Sequence, residues 1–124
     1  MTKIIDSFTQ AYIECALWAS TDDEGEPLDA NYNVCDLAPE TLASMVQDCV
    51  DFRKLVQETD ESLLDYWSNE QAGHDFWLTR NWHGAGFWDR GNGPAGDKLT
   101  ELAHTFGSQT LYVDDDGNIK SDLG

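Results

Sequence analysis

The spacing of apolar residues is the feature that most constrains the fold. Within residues 6–20 and again within 39–58, apolar side chains recur every three or four positions, which is the period of an amphipathic helix. We therefore predict two helices over these ranges. Asp6 or Ser7 can cap the first, and Pro39 suits the first turn of the second, where its missing N–H leaves no hydrogen bond unmade.

Two shorter helices are expected from weaker patterns. Asp60 is suited to cap a short third helix, whose buried face would be formed by Leu63, Leu64 and Trp67. Pro94 is expected to open a fourth helix, and Gly107 to end it, because glycine favours the left-handed conformation found just after a helix.

The carboxyl-terminal half also contains candidates for β structure. Residues 110–120 have the pattern of strand, turn and strand. The aromatic segment 73–91 predicts a β-hairpin, with a helical turn over 70–81 as the alternative. With a long irregular loop over 20–36, the whole chain 1–124 is predicted to be one acidic α+β domain, with three to four helices packed on a small antiparallel β-sheet.

Acidic residues outnumber basic ones throughout. The chain has 24 Asp and Glu and 7 Lys and Arg, a net charge of −17. Residues 1–75 hold 17 acids and 3 bases, net −14, whereas residues 76–124 hold 7 acids and 4 bases, net −3. A field of this sign repels nucleic acid, anionic lipid and most phosphorylated substrates, so we expect no direct binding to nucleic acid or membrane.

Most acids of the second and third predicted helices avoid the apolar stripe, which predicts an exposed negative surface. A surface that is merely solvated is the ordinary meaning of such a pattern and remains an alternative. The acids concerned are Glu40, Asp48, Asp51, Glu58, Asp60, Glu61 and Asp65.

The three cysteines, Cys15, Cys35 and Cys49, are odd in number and form no CxxC pair, so we expect small buried thiols in a reducing compartment. An acid appears by Asp6, too early for a signal peptide, and no apolar run is long enough to span a membrane. These features predict a soluble, cytoplasmic protein.

Several motif-like stretches have ordinary explanations. Residues 91–96 match GxGxxG, but no parallel βαβ unit is expected around them, and Pro94 removes a phosphate-binding N–H. The acidic clusters 22–26 and 114–117 do not match the EF-hand spacing and are interpreted as solvated turns, with weak cation binding as the alternative.

Histidines and catalytic signatures give no support for an enzyme. His74, His83 and His104 have no spacing typical of a zinc site, and capping or surface roles suit them better. Recognised nucleophile, metalloprotease and P-loop motifs do not occur in the sequence. We therefore predict no catalytic residue, no metal and no cofactor.

The segment 73–91, GHDFWLTRNWHGAGFWDRG, is the most distinctive part of the chain. Its rings indicate either an aromatic core, which we favour, or an exposed recognition patch. Arg80 and Arg90 are expected to pair with Asp75 and Asp89.

The same segment carries a resemblance that extends over nearly the whole chain. Together with AYIECALWASTDDEGEPLDANY, DLAPETLASM and LYVDDDGNI, it resembles a family of small acidic proteins encoded by bacteriophages. That resemblance implies a biological context, a phage infecting its host, because phage genomes encode small accessory proteins that modify or inhibit host systems. It implies no site residues.

Charge and setting together predict an inhibitor in the cytoplasm of the host. Carboxylates that imitate the phosphates of DNA would occupy the Lys/Arg groove of a basic host protein that binds nucleic acid, such as a restriction enzyme or a CRISPR effector. The residues expected to contact this partner are Asp22, Asp23, Glu24, Glu26, Asp48, Asp51, Glu58, Asp60, Glu61 and Asp65. The alternative is a small enzyme or ligand-binding domain that uses segment 73–91.

Overall fold

A computed structural model describes residues 6–22, 24–82, 86–87 and 93–122. Within them the chain forms four α-helices and one two-stranded antiparallel sheet, so the predicted α+β class is confirmed. The helices are α1 (Ser7–Ala19), α2 (Pro39–Asp60), α3 (Asn69–Arg80) and α4 (Pro94–His104), and the strands are β1 (Leu111–Val113) and β2 (Ile119–Ser121). Two 3₁₀ helices, Leu28–Ala30 and Val34–Asp36, lie between α1 and α2.

Helices α1 and α2 begin as the sequence predicts. The Asp6 carboxylate accepts the backbone N–H of Thr9 at 2.9 Å and caps α1. Pro39 occupies the first turn of α2. On the inward faces of these helices, Phe8 and Phe52 are buried and their ring centroids lie 6.3 Å apart.

The predicted third helix after Asp60 is wrong. Asp60 is the last residue of α2, because the good helix formers Gln57 and Glu58 carry the helix past the end of its apolar stripe. The Asp60 carboxylate instead accepts the N–H and hydroxyl of Ser62, at 3.0 and 2.7 Å, and residues 61–66 form consecutive turns.

The predicted hairpin over 73–91 is also wrong, and the helical alternative is confirmed. Helix α3 begins at the N-cap Ser68, whose hydroxyl accepts the N–H of Gln71 at 3.1 Å, and it extends to Arg80. Buried residues surround its axis, so it lacks the one-sided stripe that usually identifies a helix. Further along, Phe87 is buried in a short 3₁₀ turn, not in a strand.

Gly73 allows α1 and α3 to pack closely. A Cβ at this position would lie 2.0 Å from the carbonyl oxygen of Phe8 and 3.1 Å from the amide nitrogen of Tyr12. Contact between the two helices therefore depends on the missing side chain.

Aromatic rings form the centre of the core. Phe52 and Phe76 stack with centroids 4.1 Å apart and planes 11° from parallel. Phe87 stacks on Phe52 at 5.7 Å, and Trp77 is 2% exposed. The core interpretation of segment 73–91 is thus confirmed for these rings. Trp82, by contrast, is 72% exposed, with its ring stacked on the side chain of His104.

The carboxyl-terminal part follows the prediction. Gly107, with φ of +73°, lies just beyond the turns that follow α4. Strands β1 and β2 pair with Leu111 opposite Ser121, and the N–H of Ala38 donates to Ile119 O at 2.9 Å, which ties β2 to the start of α2. Among the described helices, none is both long and apolar enough to cross a bilayer.

Candidate functional site

Five predicted contact residues form an exposed set at the carboxyl end of α2 and in the turns after it. We call this set the helix acidic group: Asp51, Glu58, Asp60, Glu61 and Asp65. Asp51 and Glu58 are seven residues apart, about two helical turns, so they lie on one side of α2 about 10 Å apart along its axis. Lys54 lies near them and lines the same shallow depression.

The helix acidic group lacks basic partners in the described part of the chain, since the ion pairs found there do not involve it. Two members have neutral hydrogen-bond partners. The Asp51 carboxylate accepts the amide of Gln47 at 2.8 Å, and Asp60 accepts Ser62, which lowers the pKa of Asp60 below its usual value. Their negative charge is therefore available to an external partner.

A second set, the loop acidic group, consists of Asp22, Glu24 and Glu26. The Asp22 carboxylate accepts the N–H groups of Glu24 and Glu26 at 2.9 and 3.0 Å, and so shapes its own turn. Asp23, predicted with them, lies outside the described residues.

The two acidic groups lie at opposite ends of α1. At its amino end Asp6 pairs with Arg53 of α2 at 2.7 Å, near the helix acidic group. The loop acidic group follows the carboxyl end of α1, about 20 Å away along the helix axis. The predicted contact residues therefore do not form one continuous surface.

Asp48 is not part of the exposed surface, contrary to the prediction. Its carboxylate lies 2.7 Å from Nη1 of Arg80, with the Asp48 side chain 23% exposed and that of Arg80 1% exposed. The expected pairing of Arg80 with Asp75 is also wrong. Asp75 is fully buried and accepts the indole N–H of Trp67 at 2.9 Å and the amide of Gln71 at 2.8 Å. Arg90 and Asp89 lie outside the described residues.

Arg80 connects three parts of the fold. Besides Asp48, its guanidinium donates to the Tyr12 hydroxyl at 2.9 Å and to the carbonyl oxygens of Phe106 and Gly107 at 3.0 and 2.8 Å. Burial alone would lower the pKa of Arg80, but Tyr12 and Asp48 outweigh it, so the pKa is raised and the charge is permanent. These contacts assign Arg80 to the structure of the core.

A groove of about 990 Å³ lies between α1, α3 and the loop that follows α1. One wall is the outer side of α1, including Trp18, which is 58% exposed. The second wall is the loop that contains Tyr32 and Val34, and the third is the amino end of α3, with Gln71 and His74. The rings of Trp18 and His74 lie 6.2 Å apart.

The loop wall of the groove is shaped by local hydrogen bonds. Asn33 accepts the N–H of Cys35 and donates its own N–H to Asp36, both at 2.8 Å. Leu28 is fully buried and donates its N–H to Ser20 O at 2.8 Å, which anchors the loop to the end of α1. Cys35 is exposed on this wall, so its predicted burial is wrong, whereas Cys15 and Cys49 are buried as predicted.

The acids Glu14, Asp29 and Glu70 line the groove, and neither Lys nor Arg is among its described lining residues. The small-enzyme alternative requires His74, His83, Arg80 and Arg90 to meet in one pocket. His74 lines the groove, but Arg80 is buried in the core, and the other two lie outside the described residues. The described members of that set are therefore apart.

The acidic turn before β2 has a structural role. Asp114 accepts the N–H groups of Asp116 and Asn118 at 3.0 and 2.8 Å, and its other oxygen lies 3.5 Å from the ammonium group of Lys120. In the described residues, no three His, Cys, Asp or Glu side chains are grouped as metal ligands. Of the glycine-rich stretch 91–96, the described part shows Pro94 opening α4.

Comparisons with protein family models, curated proteins and solved structures gave no match. The resemblance to small acidic phage proteins therefore stays a prediction.

Sequence reasoning missed the groove because its walls come from separate segments. A signal was present in α1, where Ile13, Ala16 and Leu17 are apolar although they lie outside the one-sided apolar stripe from which the helix was predicted. The core covers these three residues and leaves Trp18 exposed. A helix that is apolar nearly all round needs partners on more than one side.

Proposed function

We propose that this protein is a phage accessory protein that binds and inhibits a host nucleic-acid-binding protein, of the restriction or CRISPR type, by imitating the charge of DNA. The observation that carries the proposal is the exposure of the helix acidic group without a basic partner among the described residues. A basic groove built for phosphates responds mainly to the sign and spacing of charge.

The spacing of these carboxylates supports the proposal. Asp51, Glu58 and Glu61 extend over about 15 Å of α2 and its end, and Asp65 continues the series into the following turn. Duplex DNA has one charge per about 1.7 Å of axis, so the protein presents a sparser array. We therefore expect weaker, strongly salt-dependent competition with DNA.

The test is affinity capture from a bacterial host lysate at low and high salt, followed by a DNA-displacement assay with the protein retained only at low salt. The triple variant Asp51→Asn/Glu58→Gln/Glu61→Gln is expected to lose displacement and most of its salt dependence. A charge-matched control, Glu101→Gln/Asp115→Asn/Asp116→Asn, removes the same charge from the opposite half of the sequence.

The proposal fails if the two triple variants displace DNA equally well. Asp48 must be left unchanged in both, because its loss is expected to disturb the core through Arg80.

The alternative function, a ligand-binding domain that uses segment 73–91, is favoured by one observation: His74 of that segment lines the groove. Under this alternative, a small metabolite raises the melting temperature of the native protein but not that of His74→Ala. A thermal-shift screen of metabolites measures this difference.

A further inference from the structure

Trp18 is an exposed aromatic residue on a wall of the groove. It is 58% exposed, and Trp is among the residue types enriched in the energetically dominant contacts of protein interfaces. Beside it, Tyr32 and Val34 are partly buried against the core, and so extend an apolar floor from α1 to the loop.

Among the described residues, the Asp, Glu, Lys and Arg side chains that line the groove are all acids. Glu14, Asp29 and Glu70 are exposed and come from all three walls. Glu14 accepts the side-chain amide of Gln10, a neutral donor, at 2.9 Å. An apolar floor inside an anionic rim is complementary to an apolar side chain flanked by cations, and it repels anionic ligands.

We propose that this groove binds a short segment of a partner protein, in which an apolar side chain is flanked by Lys or Arg. The apolar side chain would pack on Trp18 while the cations face Glu14 and Glu70, as when an amphipathic segment enters a groove. The proposal concerns a different surface from the helix acidic group and does not rest on the proposed function.

The size and stiffness of the groove favour a peptide segment. Its volume, about 990 Å³, lies at the upper end of the range for small-molecule pockets, so the groove has room for an apolar side chain and its neighbours in a peptide. The hydrogen bonds of Asn33 with Cys35 and Asp36 hold the loop wall in place, so little ordering is required on binding.

The first experiment measures the binding of three synthetic peptides of equal length by fluorescence anisotropy. One has a helical face of Leu flanked by Lys, the second replaces Leu with Ser, and the third replaces Lys with Glu. We expect saturable binding of the Leu/Lys peptide, at least tenfold weaker binding of the Ser/Lys peptide, and none of the Leu/Glu peptide.

Variants then assign the binding to the groove. Trp18→Ala is expected to weaken binding of the Leu/Lys peptide at least tenfold. The control Tyr66→Ala removes another aromatic side chain, 75% exposed and outside the groove, and should leave peptide binding unchanged. Since Trp18 is exposed, its replacement leaves the core intact, and circular dichroism checks this. Glu14→Gln/Glu70→Gln should likewise weaken binding about tenfold at low salt, compared with Asp115→Asn/Asp116→Asn.

Cys35 provides an independent readout, because it is exposed and lines the groove. Bound Leu/Lys peptide should slow its alkylation by iodoacetamide at least severalfold, and the Leu/Glu peptide should not.

Three results would overturn the inference: equal affinity for the Leu/Lys and Ser/Lys peptides, equal binding by the groove variants and their controls, or self-association through the groove in sedimentation. The variant Asp51→Asn/Glu58→Gln/Glu61→Gln should bind the Leu/Lys peptide with native affinity, so failure here is separable from failure of the proposed DNA mimicry.

Discussion

Replacing Asp48 with Asn tests whether the Arg80 contacts hold the core together. The substitution preserves the shape of the side chain but removes the counter-charge 2.7 Å from a guanidinium that is 1% exposed. The remaining Arg80 hydrogen bonds, to Tyr12, Phe106 and Gly107, have neutral acceptors and cannot replace a carboxylate.

The loss of stability expected for Asp48→Asn follows from the burial of the Asp48–Arg80 ion pair. Leaving one member of a fully buried ion pair without its partner costs about 3–5 kcal/mol. Asp48 is 23% exposed, so water solvates part of the site and we expect about 2–3 kcal/mol. With a urea m-value of about 1–3 kcal/mol/M, this lowers the denaturation midpoint by about 0.7–3 M.

The assay is urea denaturation followed by circular dichroism and Trp fluorescence. Asp51→Asn is the matched control, because Asp51 carries the same charge three residues after Asp48 but is exposed. At such a position we expect the free energy of unfolding to change by no more than about 0.5 kcal/mol. The difference should persist in 0.5 M NaCl, since salt screens buried pairs weakly. Equal midpoints for the two variants would refute the reasoning.

Three further predictions test the packing, the thiols and the first helix cap. Gly73→Ala should destabilise the fold by about 2 kcal/mol or more in thermal denaturation, because the new Cβ would lie 2.0 Å from the main chain of α1. At an exposed helical position the same substitution would be stabilising. Unchanged stability would contradict the close approach of the two helices. In native protein only Cys35 should react with Ellman's reagent, since Cys15 and Cys49 are buried and burial raises the pKa of both to about 12; two or three fast thiols would contradict the structure. Asp6→Ala should cost about 1 kcal/mol at pH 7 through the lost N-cap. Partial burial alone would raise the pKa of Asp6, but its hydrogen bonds outweigh burial and lower that pKa. The ionised Asp6 therefore stabilises the fold fully above about pH 4, and this stabilisation is lost as the pH falls. If Asp6→Ala lowered the stability by the same amount at pH 7 and at pH 2.5, this reasoning would be contradicted.

The sequence predicted those elements whose signals are local. Helices α1, α2 and α4 each have an apolar stripe with a cap or proline at the start, and the strands flank a turn stabilised by Asp114. Helix α3 was mispredicted because it is buried on nearly every side. A helix with apolar rings all round has no periodic contrast, and dense aromatic residues then favour the interpretation as a strand.

For the candidate surfaces, too, only those features that depend on local sequence patterns could be predicted. Exposure of Asp51 and Glu58 was predictable, because a recognised apolar stripe also identifies the opposite face of a helix. Asp60, Glu61 and Asp65 are exposed although the third helix predicted for them does not form. The inward position of Asp48 was not, since Arg80 is 32 residues away and no local pattern joins the two. The groove depends on three segments that meet only after folding.

The position of each acid, more than the total charge, separates mimicry from simple solubility. Charge that serves solubility acts wherever it lies on the surface, whereas a DNA-like surface requires particular carboxylates to be exposed and unpaired. The described acids differ in setting: Asp48 neutralises a buried cation, Asp22 and Asp114 shape turns, and the helix acidic group has no basic partner in the described residues. Unpaired acids repel one another and cost stability. Neutralising Asp51, Glu58 and Glu61 should therefore stabilise the fold even as it weakens partner binding. Neutralising Asp48 should destabilise the fold and weaken partner binding through unfolding.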